Sequence, residues 1–481
     1  MNYRMVARIA AMVLLSFAAL MLLPMIVCLC AGESVKGFAV ALVVTALAGL
    51  ALLGLKPHTR AIFAREGFAA VSLAWILMGF FGAIPFAVSG DIPRYADAVF
   101  ETISGLTTTG ASVVANVEAM SRSGLFWRSF LEWLGGMGVL IFIMAVLPMS
   151  GEHSMHILRA EIPGPTVGKL VPRAGDTAKI LYIIYTVLTA LETVMLMLGG
   201  MSFYDALLHA FATAGTGGFS TQSVSIAAYN SVYIEMVMAV FLLLFGINFN
   251  LYYLILAHRA KTALKSEELH WYLGILAAAT LSIAIGITKI YGSFAAALRH
   301  AFFNSVSLMS TAAFATVNTM EWPQYARLIL VLLMCMGGCA GSTSGGLKVS
   351  RVLLLFKTAG ADIRRVLHPR EVCRVQMDGK RVDESTTKAV YCYFWLYFVI
   401  IALTTFVVSF DGYDFNVCMT AALSCMSNIG PSLSLVNGTQ CYLMFSPFTR
   451  VVMMVVMLLG RLEIYPLIIL ASPIISHGKK R

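Results

Sequence analysis

Four short segments of the sequence are rich in glycine, alanine, serine and threonine, and their backbone carbonyl groups could coordinate a cation. They read DAVFETISGLTTTGAS (97–112), DALLHAFATAGTGGFS (205–220), ALRHAFFNSVSLMSTAAFAT (297–316) and NVCMTAALSCMSNIGPSLS (416–434). Glycine adopts left-handed backbone conformations without penalty, and a ring of carbonyl oxygens can replace the hydration shell of an ion. The chemistry that these segments indicate is the binding of a dehydrated cation by backbone oxygens.

A second unusual stretch, GGCAGSTSGGLK (337–348), interrupts the apolar run RLILVLLMCM that would otherwise continue as a membrane helix. A phosphate-binding loop needs an adjacent Gly-Lys pair followed by Ser or Thr, whereas Gly346 is followed by Leu347. Two interpretations stay open. The stretch is either a kink absorbed in packing or a flexible plug of small residues that crosses a water-filled cavity.

Arg461 lies about halfway along the last apolar segment. A charge at that depth costs roughly 2.5–3.5 kcal/mol on insertion scales. Glu463 is two residues away and therefore points to another face of the helix. Arg461 is predicted either to pair with an acid on another span, or to lie beneath the carbonyl ring as an electrostatic barrier bonded to carbonyls of the 337–348 loop.

The elements that must position these residues are membrane-spanning helices. The 481 residues are 59% hydrophobic and 12% charged, whereas soluble domains carry about 25% charge. Apolar stretches of roughly 20 residues recur along the chain, and each can cross a bilayer. The first run, 9–31, is too long for the core of a signal peptide and is interpreted as a retained helix. The sequence predicts an all-α polytopic membrane protein.

The apolar segments repeat one layout four times after an N-terminal pair of spans (1–58). Each copy has a full span, a half-length helix, a glycine- or hydroxyl-rich turn and a second full span. About 12 helical residues reach about 18 Å, which is half a membrane. Asp97 and Asp205 are predicted to cap the first two half-helices.

Irregular backbone at mid-depth must be buried in protein or line a water-filled path. The fourfold recurrence of the layout argues against ordinary polar extracellular loops. We therefore expect four tandem helix–pore-loop–helix repeats around one pseudo-fourfold pore, with the two extra N-terminal transmembrane helices outside it. The predicted repeats cover 66–150, 176–258, 268–357 and 388–472.

The net charge of +10 reflects membrane topology rather than a nucleic-acid partner. Of the 34 Lys and Arg residues, 25 fall in segments on the side of the N-terminus and five on the other side. Positive charge concentrates in cytoplasmic loops. Both termini, the basic loop 358–387 and the tail 473–481 are therefore predicted to be cytoplasmic.

Two other classes of function are less consistent with the residues. The nine cysteines show no metal-type spacing, and His209 and His300 have no matching acid or nucleophile cluster, so no enzyme is predicted. A secondary cation symporter coupled to protons or sodium would favour inverted repeats and ionisable residues at mid-depth. Here the repeats share one orientation and only Arg461 is clearly central, but such a symporter remains the alternative.

Nearly the whole chain resembles the Trk/Ktr/HKT superfamily of potassium transporters, most closely its bacterial TrkH and TrkG branch. The N-terminal pair of spans fits that branch rather than the shorter Ktr type. Four segments resemble the filter loops of the family: TTTGAS (107–112), TGGFST (216–221), TAAFAT (311–316) and NIGP (428–431). Three more resemble the spans after them: WLGGMGVLIFIMAVLPM (133–149), GGCAGSTSGGLKV (337–349) and GRLEIYP (460–466).

The resemblance implies a potassium filter, which would also accept rubidium, built from backbone carbonyls. They would belong to Thr108, Thr109, Gly110, Thr216, Gly217, Gly218, Thr311, Ala312, Ala313, Asn428, Ile429 and Gly430. The filter glycines of the family map to Gly110, Gly218 and Gly430, but alanine stands at Ala313. Alanine resists left-handed backbone. Either the third loop has a negative φ there, or the filter geometry is altered.

The resemblance further implies an intramembrane gating loop at 337–347 with a positive charge beneath the filter. The gating residues would be Gly337, Gly338, Gly341, Ser342, Thr343, Ser344, Gly345, Gly346, Lys348 and Arg461. The expected function is potassium uptake across the bacterial inner membrane by a homodimer surrounded by membrane lipids. It would sit on a cytosolic ring of TrkA-type nucleotide-binding regulators, and this chain itself shows no nucleotide site.

Overall fold

A computed structural model of the chain describes residues 2–55, 64–138, 174–371, 374–431, 441–464, 466–468 and 470. The elements in these ranges are helices apart from one short hairpin, so the predicted all-α membrane class is confirmed. The N-terminal pair consists of one span, interrupted at Met21, and a second span that packs against its first part. These helices are α1 (Tyr3–Leu20), α2 (Leu22–Ala31) and α3 (Lys36–Leu53).

Four long helices form the first span of each repeat. Each has 25 or 26 residues, which at 1.5 Å per residue reaches about 38 Å and crosses a bilayer. One face of each is buried, and the other exposes large apolar side chains such as Leu198 and Phe406. The four helices are α4 (Ala64–Ser89), α7 (Ala174–Leu198), α12 (Glu267–Tyr291) and α16 (Glu384–Ser409).

Four shorter helices of 12 to 16 residues follow the first spans and have the predicted half-membrane length. They are α5 (Tyr95–Leu106), α8 (Phe203–Gly215), α13 (Phe294–Met309) and α17 (Phe415–Ser427). The predicted aspartate caps are wrong. Asp97 and Asp205 lie inside the first turn, and the side chain of Ser202 caps α8. An acid in the first turn still suits the positive end of the helix dipole, while its carboxylate is free to reach another element: Asp97 pairs with Arg450.

The second spans of the second and third repeats are interrupted; the break in the third was predicted, whereas the break in the second corrects the prediction of one full span there. The second repeat has two helices that meet at 88°, and the third is broken by the 337–348 loop. The helices are α6 (Arg122–Gly136), α9 (Val232–Phe245), α10 (Phe249–Leu256), α14 (Gln324–Met336), α15 (Val349–Leu367) and α18 (Pro447–Arg461), with a short α11 (Ala260–Leu264) before α12. Residues 139–150 of the first repeat lie outside the described residues. Among the described residues six helices are long and apolar enough to cross a membrane, or seven if the bent pair is one span.

A two-stranded antiparallel hairpin is an addition to the predicted all-α fold. It pairs β1 (Gln376–Met377) with β2 (Lys380–Arg381) inside the basic loop. Asp378 and Gly379 form its turn with φ of +50° and +72°, as a two-residue hairpin turn requires. The predicted tail, 473–481, lies outside the described residues.

Two glycines in the second spans allow the ends of the half-helices to pack closely against these spans. A methyl group on Gly135 would lie 2.8 Å from the carbonyl carbon of Leu106, the last residue of α5. A methyl group on Gly460 would lie 2.7 Å from Oδ1 of Asn428, directly after α17. Only glycine permits such an approach, so these positions fix where the first and fourth loops begin.

Candidate ion pathway

All four half-helices end in the same backbone motif. In each case the first or second residue after the helix has a left-handed φ. The amide of the residue that follows it donates a hydrogen bond to the carbonyl five residues earlier, as in a Schellman C-cap. The left-handed residues are Thr108 (+53°), Thr216 (+54°), Thr311 (+65°) and Asn428 (+55°). The donor–acceptor pairs are Thr109–Ser104 (2.8 Å), Gly217–Ala212 (2.9 Å), Ala312–Ser307 (3.0 Å) and Ile429–Ser424 (3.0 Å).

A second left-handed residue follows two positions later in every loop. These residues are Gly110 (+74°), Gly218 (+89°), Ala313 (+52°) and Gly430 (+91°). Of the two possibilities left open for the third loop, a negative φ at Ala313 is therefore wrong. The alanine adopts the conformation of the glycines at a cost of roughly 1–2 kcal/mol. Threonine is equally unusual at positive φ, and backbone strain of this kind is typical of functional sites.

Three close contacts link the four loops, which are loop 1 (107–112), loop 2 (216–221), loop 3 (311–316) and loop 4 (428–431). A methyl carbon on Gly110 would lie 3.0 Å from the carbonyl carbon of Gly217 and nearer still to its oxygen. Gly218 is related in the same way to Ala312, and Gly430 to Thr109. Loop 1 thus faces loop 2, loop 2 faces loop 3, and loop 4 faces loop 1. Carbonyl oxygens from successive loops meet at positions where only glycine fits.

A buried ion pair supports loop 1 from behind. Glu101 of α5 accepts hydrogen bonds from Ser112 Oγ (2.9 Å) and Val113 N (2.9 Å) and pairs with Arg128 Nε at 2.7 Å. The Arg128 guanidinium lies 4.0 Å from the ring centre of Phe219 in loop 2. Sequence reasoning missed this pair. The available signal was the occurrence of charged residues within apolar membrane segments, where charge is usually functional.

Two further buried acids lie in the spans, which corrects the prediction that only Arg461 is central. Glu132 of α6 is fully buried and accepts the hydrogen bond of Phe219 N (3.1 Å) in loop 2. Glu192 of α7 is also fully buried, and its carboxylate interacts with the side chain of Thr213 in α8. Glu132 therefore joins the first repeat to loop 2, whereas Glu192 is a buried acid beside the second half-helix.

Loop 4 is tied both to loop 1 and to its own repeat. Asn428 Nδ2 donates to Thr109 Oγ1 (3.0 Å) and to the Met457 carbonyl (2.9 Å). The carbonyl of Gly430 accepts hydrogen bonds from Tyr442 Oη (2.6 Å) and Ser424 Oγ (2.5 Å). Its lone pairs are thus engaged within the protein, which differs from the sequence expectation that this carbonyl faces the ion.

A cavity of about 140 Å³ lies against the four loops. Gly110, Gly218, Ala313 and Pro431 each contribute to its wall, so residues of all four loops meet there. Cys441 lines it as well. With a share of about 30 Å³ per water molecule in the liquid, the cavity has room for a small group of waters or a partly hydrated ion.

The 337–348 loop closes on itself and reaches the filter loops. Its ends are joined by bonds from Leu347 N to Cys335 O (3.1 Å) and from Lys348 N to Met336 O (2.8 Å), so it projects from the helix axis. Gly345 N donates to Thr311 Oγ1 of loop 3 at 2.7 Å. A kink absorbed in packing does not describe this geometry.

The predicted gating residues are brought together in this loop. Gly337, Gly341 and Gly346 have positive φ, as does Lys348. Thr343 Oγ1 donates to the Phe245 carbonyl. The remaining members lie between them and are in contact with the ends of the loop or with neighbouring spans: Gly338, Ser342, Ser344 and Gly345.

Arg461 donates to carbonyl groups of two other repeats. Its guanidinium bonds the Thr343 carbonyl of the 337–348 loop (2.8 Å) and the carbonyls of Gly135 (2.5 Å) and Gly136 (2.6 Å) at the end of α6. Glu463 pairs instead with Arg351 (2.6 Å). The predicted bonding of Arg461 to the loop is therefore present in the structure.

Side chains of the usual metal-binding types do not form a site in the part of the chain that the structure describes. Within the described ranges, no group of three His, Cys, Asp or Glu residues could hold a metal ion. His209 contacts the Asp205 carbonyl (2.8 Å) and Ser220 Oγ (2.9 Å), consistent with the packing role expected for it.

The spans and the four loops that line one cavity define a multi-pass membrane transport protein. A family model described as "TrkH: Cation transport protein" matches residues 33–292 and 288–479, and the chain belongs to this family, whose members are transporters rather than enzymes. The chain is 33% identical to the Trk system potassium uptake protein TrkH of Escherichia coli K12, over 98% of this chain and 99% of the relative. It is 35% identical to TrkG of the same organism, over 85% and 84%. The crystal structure of the potassium transporter TrkH from Vibrio parahaemolyticus matches with a TM-score of 0.87 and 32% identity, over 98% and 99%.

Proposed function

We propose that the protein mediates potassium uptake across the bacterial inner membrane through a channel-like pore with a carbonyl-lined selectivity filter. The observation that carries the proposal is the pair of left-handed residues repeated in four loops that line one cavity. The relatives are named potassium uptake proteins, which supports the same ion.

The carbonyl ring performs selection by replacing water around the ion. A potassium ion enters from the cavity at Gly110 and Gly218 and exchanges its water for carbonyl oxygens. The four half-helices point their negative C-terminal ends at the same place. Rubidium follows the same path because it resembles potassium in size and charge. Glu101 and Glu132 accept hydrogen bonds from backbone amides at loops 1 and 2, so the spacing of the carbonyls is kept when the ion leaves.

The 337–348 loop gates this pore at the other end of the filter. Gly345 bonds loop 3 through Thr311, and a methyl on Gly345 would lie 3.0 Å from the Ser427 carbonyl carbon before loop 4. The loop therefore lies below two of the four filter segments. Arg461 adds a positive charge and holds the loop through Thr343, and both effects oppose the passage of a cation until the loop moves.

One observation favours a second candidate, a symporter that couples cation uptake to protons. Glu192 is fully buried in a membrane span and has no basic partner among the described residues, and an ionisable group buried in a span is typical of proton relays. Uptake that acidifies the interior of a liposome in proportion to the cation carried, and that Glu192→Gln abolishes, would favour this candidate.

The proposed assembly is a homodimer in the inner membrane, with both termini and the 358–387 loop in the cytoplasm. Ten of the 34 Lys and Arg residues fall between 348 and 388, which supports this orientation and provides a basic surface for a regulator. A cytosolic TrkA-type nucleotide-binding subunit is the proposed partner, in keeping with relatives named as components of a Trk system.

Rubidium uptake into liposomes that hold the purified protein tests the proposal. The flux is driven by a potassium gradient, with sodium as the competitor. We expect uptake that a large excess of sodium barely reduces, and a weaker potassium preference in Gly110→Ser. Gly274→Ser is the matched control, because a side chain at Gly274 meets nothing within 4 Å. An unchanged potassium-to-sodium ratio in Gly110→Ser would contradict the filter assignment.

A further inference from the structure

One carboxylate oxygen bonds both the first part of the 337–348 loop and the start of the helix that follows it. Glu268 lies in the first turn of α12 and is 6% exposed. Its Oε1 accepts hydrogen bonds from Ala340 N (2.7 Å) and from Ser350 N (3.1 Å). The segment between these two amides is the one that touches filter loop 3 and Arg461.

The neighbouring residue, Glu267, is bonded to the hairpin of the basic loop. Glu267 N donates to Asp378 Oδ1 at 2.8 Å. Ser266 precedes the helix but makes no capping bond with its side chain, so Asp378 provides an acceptor that the helix end would otherwise lack. Lys357 of α15 pairs with the Glu267 carboxylate and donates to the Gln376 carbonyl (2.8 Å).

Two adjacent residues of α12 thus contact two different structures. Glu267 contacts the exposed hairpin, whereas Glu268 contacts the buried loop. We propose that Glu268 is a positioning residue that fixes the resting place of the gating loop, and that the 376–381 hairpin acts on the loop through the Asp378–Glu267 contact. This inference rests on the proposed gating function of the 337–348 loop.

The geometry explains why a displacement of the hairpin would move the 337–348 loop as one unit. The loop ends are joined by the Cys335–Leu347 and Met336–Lys348 backbone bonds, so the segment between them moves with its anchor. A movement of the first turn of α12 shifts Glu268, and with it the amides of Ala340 and Ser350. A regulator that displaces the hairpin needs no contact with the pore itself.

The flux of rubidium into liposomes, measured with the full-length chain without any regulator, tests the anchor. Glu268→Ala leaves two buried amides unpaired and should raise the flux about fivefold or more. Glu268→Gln keeps an oxygen that can accept both bonds, so its flux should lie much closer to the wild type. Glu384→Ala is the matched control, since Glu384 also begins a span but pairs with an exposed lysine, Lys388.

The hairpin arm is tested in the same assay. Asp378→Ala should raise the flux, as Glu268→Ala does, whereas the flux of Asp378→Asn should stay close to that of the wild type. In a chain that already carries Glu268→Ala, Asp378→Ala should add little further flux. Equal flux in Glu268→Ala and Glu268→Gln would overturn the anchor. Independent, multiplicative effects of Glu268→Ala and Asp378→Ala would overturn the coupling.

A second readout separates this inference from the proposed function. Cys339 is fully buried one residue before Ala340, and its rate of modification by a maleimide, followed by mass spectrometry of the peptide, reports displacement of the loop without any flux. Faster labelling in Glu268→Ala and Asp378→Ala, but not in Glu384→Ala, supports the inference even if no variant conducts. Unchanged labelling in these variants would overturn it, even in a protein that conducts. If Glu268→Ala fails to fold, Asp378→Ala against Asp378→Asn decides the outcome.

Discussion

Replacing Ala313 with glycine should strengthen potassium preference and stabilise the protein. Ala313 has a φ of +52°, in a position that the other three loops fill with glycine. The left-handed conformation costs alanine roughly 1–2 kcal/mol, and the greater freedom of glycine in the unfolded chain offsets about 0.4–1 kcal/mol of the gain. The net expectation is a stabilisation of about 0.5–1 kcal/mol.

The effect on potassium preference follows from the close contacts between neighbouring loops. A methyl on Gly218 would lie 3.0 Å from the Ala312 carbonyl carbon and closer to its oxygen, an approach that real side chains essentially never make. Ala313 occupies the equivalent position of loop 3, and its methyl group prevents an equally close approach of a neighbouring carbonyl. A weakened contact between an ion and one carbonyl is worth about 1 kcal/mol, which corresponds to about fivefold in the potassium-to-sodium ratio.

The assay compares rubidium uptake into liposomes at increasing sodium for the wild type, Ala313→Gly and Ala315→Gly. Ala315→Gly adds flexibility to the same loop, and Ala315 has no left-handed φ to relieve. We expect the concentration of sodium that halves uptake to rise about fivefold only in Ala313→Gly. If the same sodium concentration halved uptake in all three proteins, the geometric reasoning would be refuted, even if Ala313→Gly were more stable.

Four more predictions concern the gate, the cavity and the outer loops. Arg461→Ala should increase rubidium flux, because it removes both a positive charge and the bonds that hold the 337–348 loop; a folded variant with lower flux would contradict this role. Deletion within 341–346 should also raise flux, and a deletion that folds but conducts less would contradict the plug. A charged thiol reagent added from outside should block uptake through Cys441, which lines the cavity, and the block should be lost in Cys441→Ser. Hydrogen bonds from the Ser223 hydroxyl and amide lower the pKa of the Glu118 carboxyl; the small difference in thermal stability between wild type and Glu118→Gln should therefore be present at neutral pH and vanish as the pH falls through that lowered pKa.

The sequence predicted the half-helices and their loops because their signals are local. A short helix that ends in glycine and hydroxyl residues between two apolar spans is readable from composition and length alone. The left-handed positions at Gly110, Gly218 and Gly430 follow from residue type. The left-handed φ of Ala313 does not follow from residue type, because alanine disfavours this conformation.

The features that the sequence did not predict depend on tertiary packing. Asp97 has the residue type of a helix cap, but its partner is Arg450, more than 350 positions away. The break between Phe245 and Phe249 lies within an apolar run, so hydropathy alone predicts one continuous span there. Glu101 and Arg128 are separated by 27 positions, and their pairing becomes visible only when α5 and α6 are packed together.

The most direct test of the central claim is to locate the ion. Crystals of the protein grown or soaked in a rubidium salt give an anomalous signal from the bound cation. A peak inside the ring formed by the carbonyls of Thr109, Gly217, Ala312 and Ile429 is the predicted result, with the peak lost when sodium alone is present. Rubidium confined to the cavity or to other parts of the protein, with none among these carbonyls, would contradict the account.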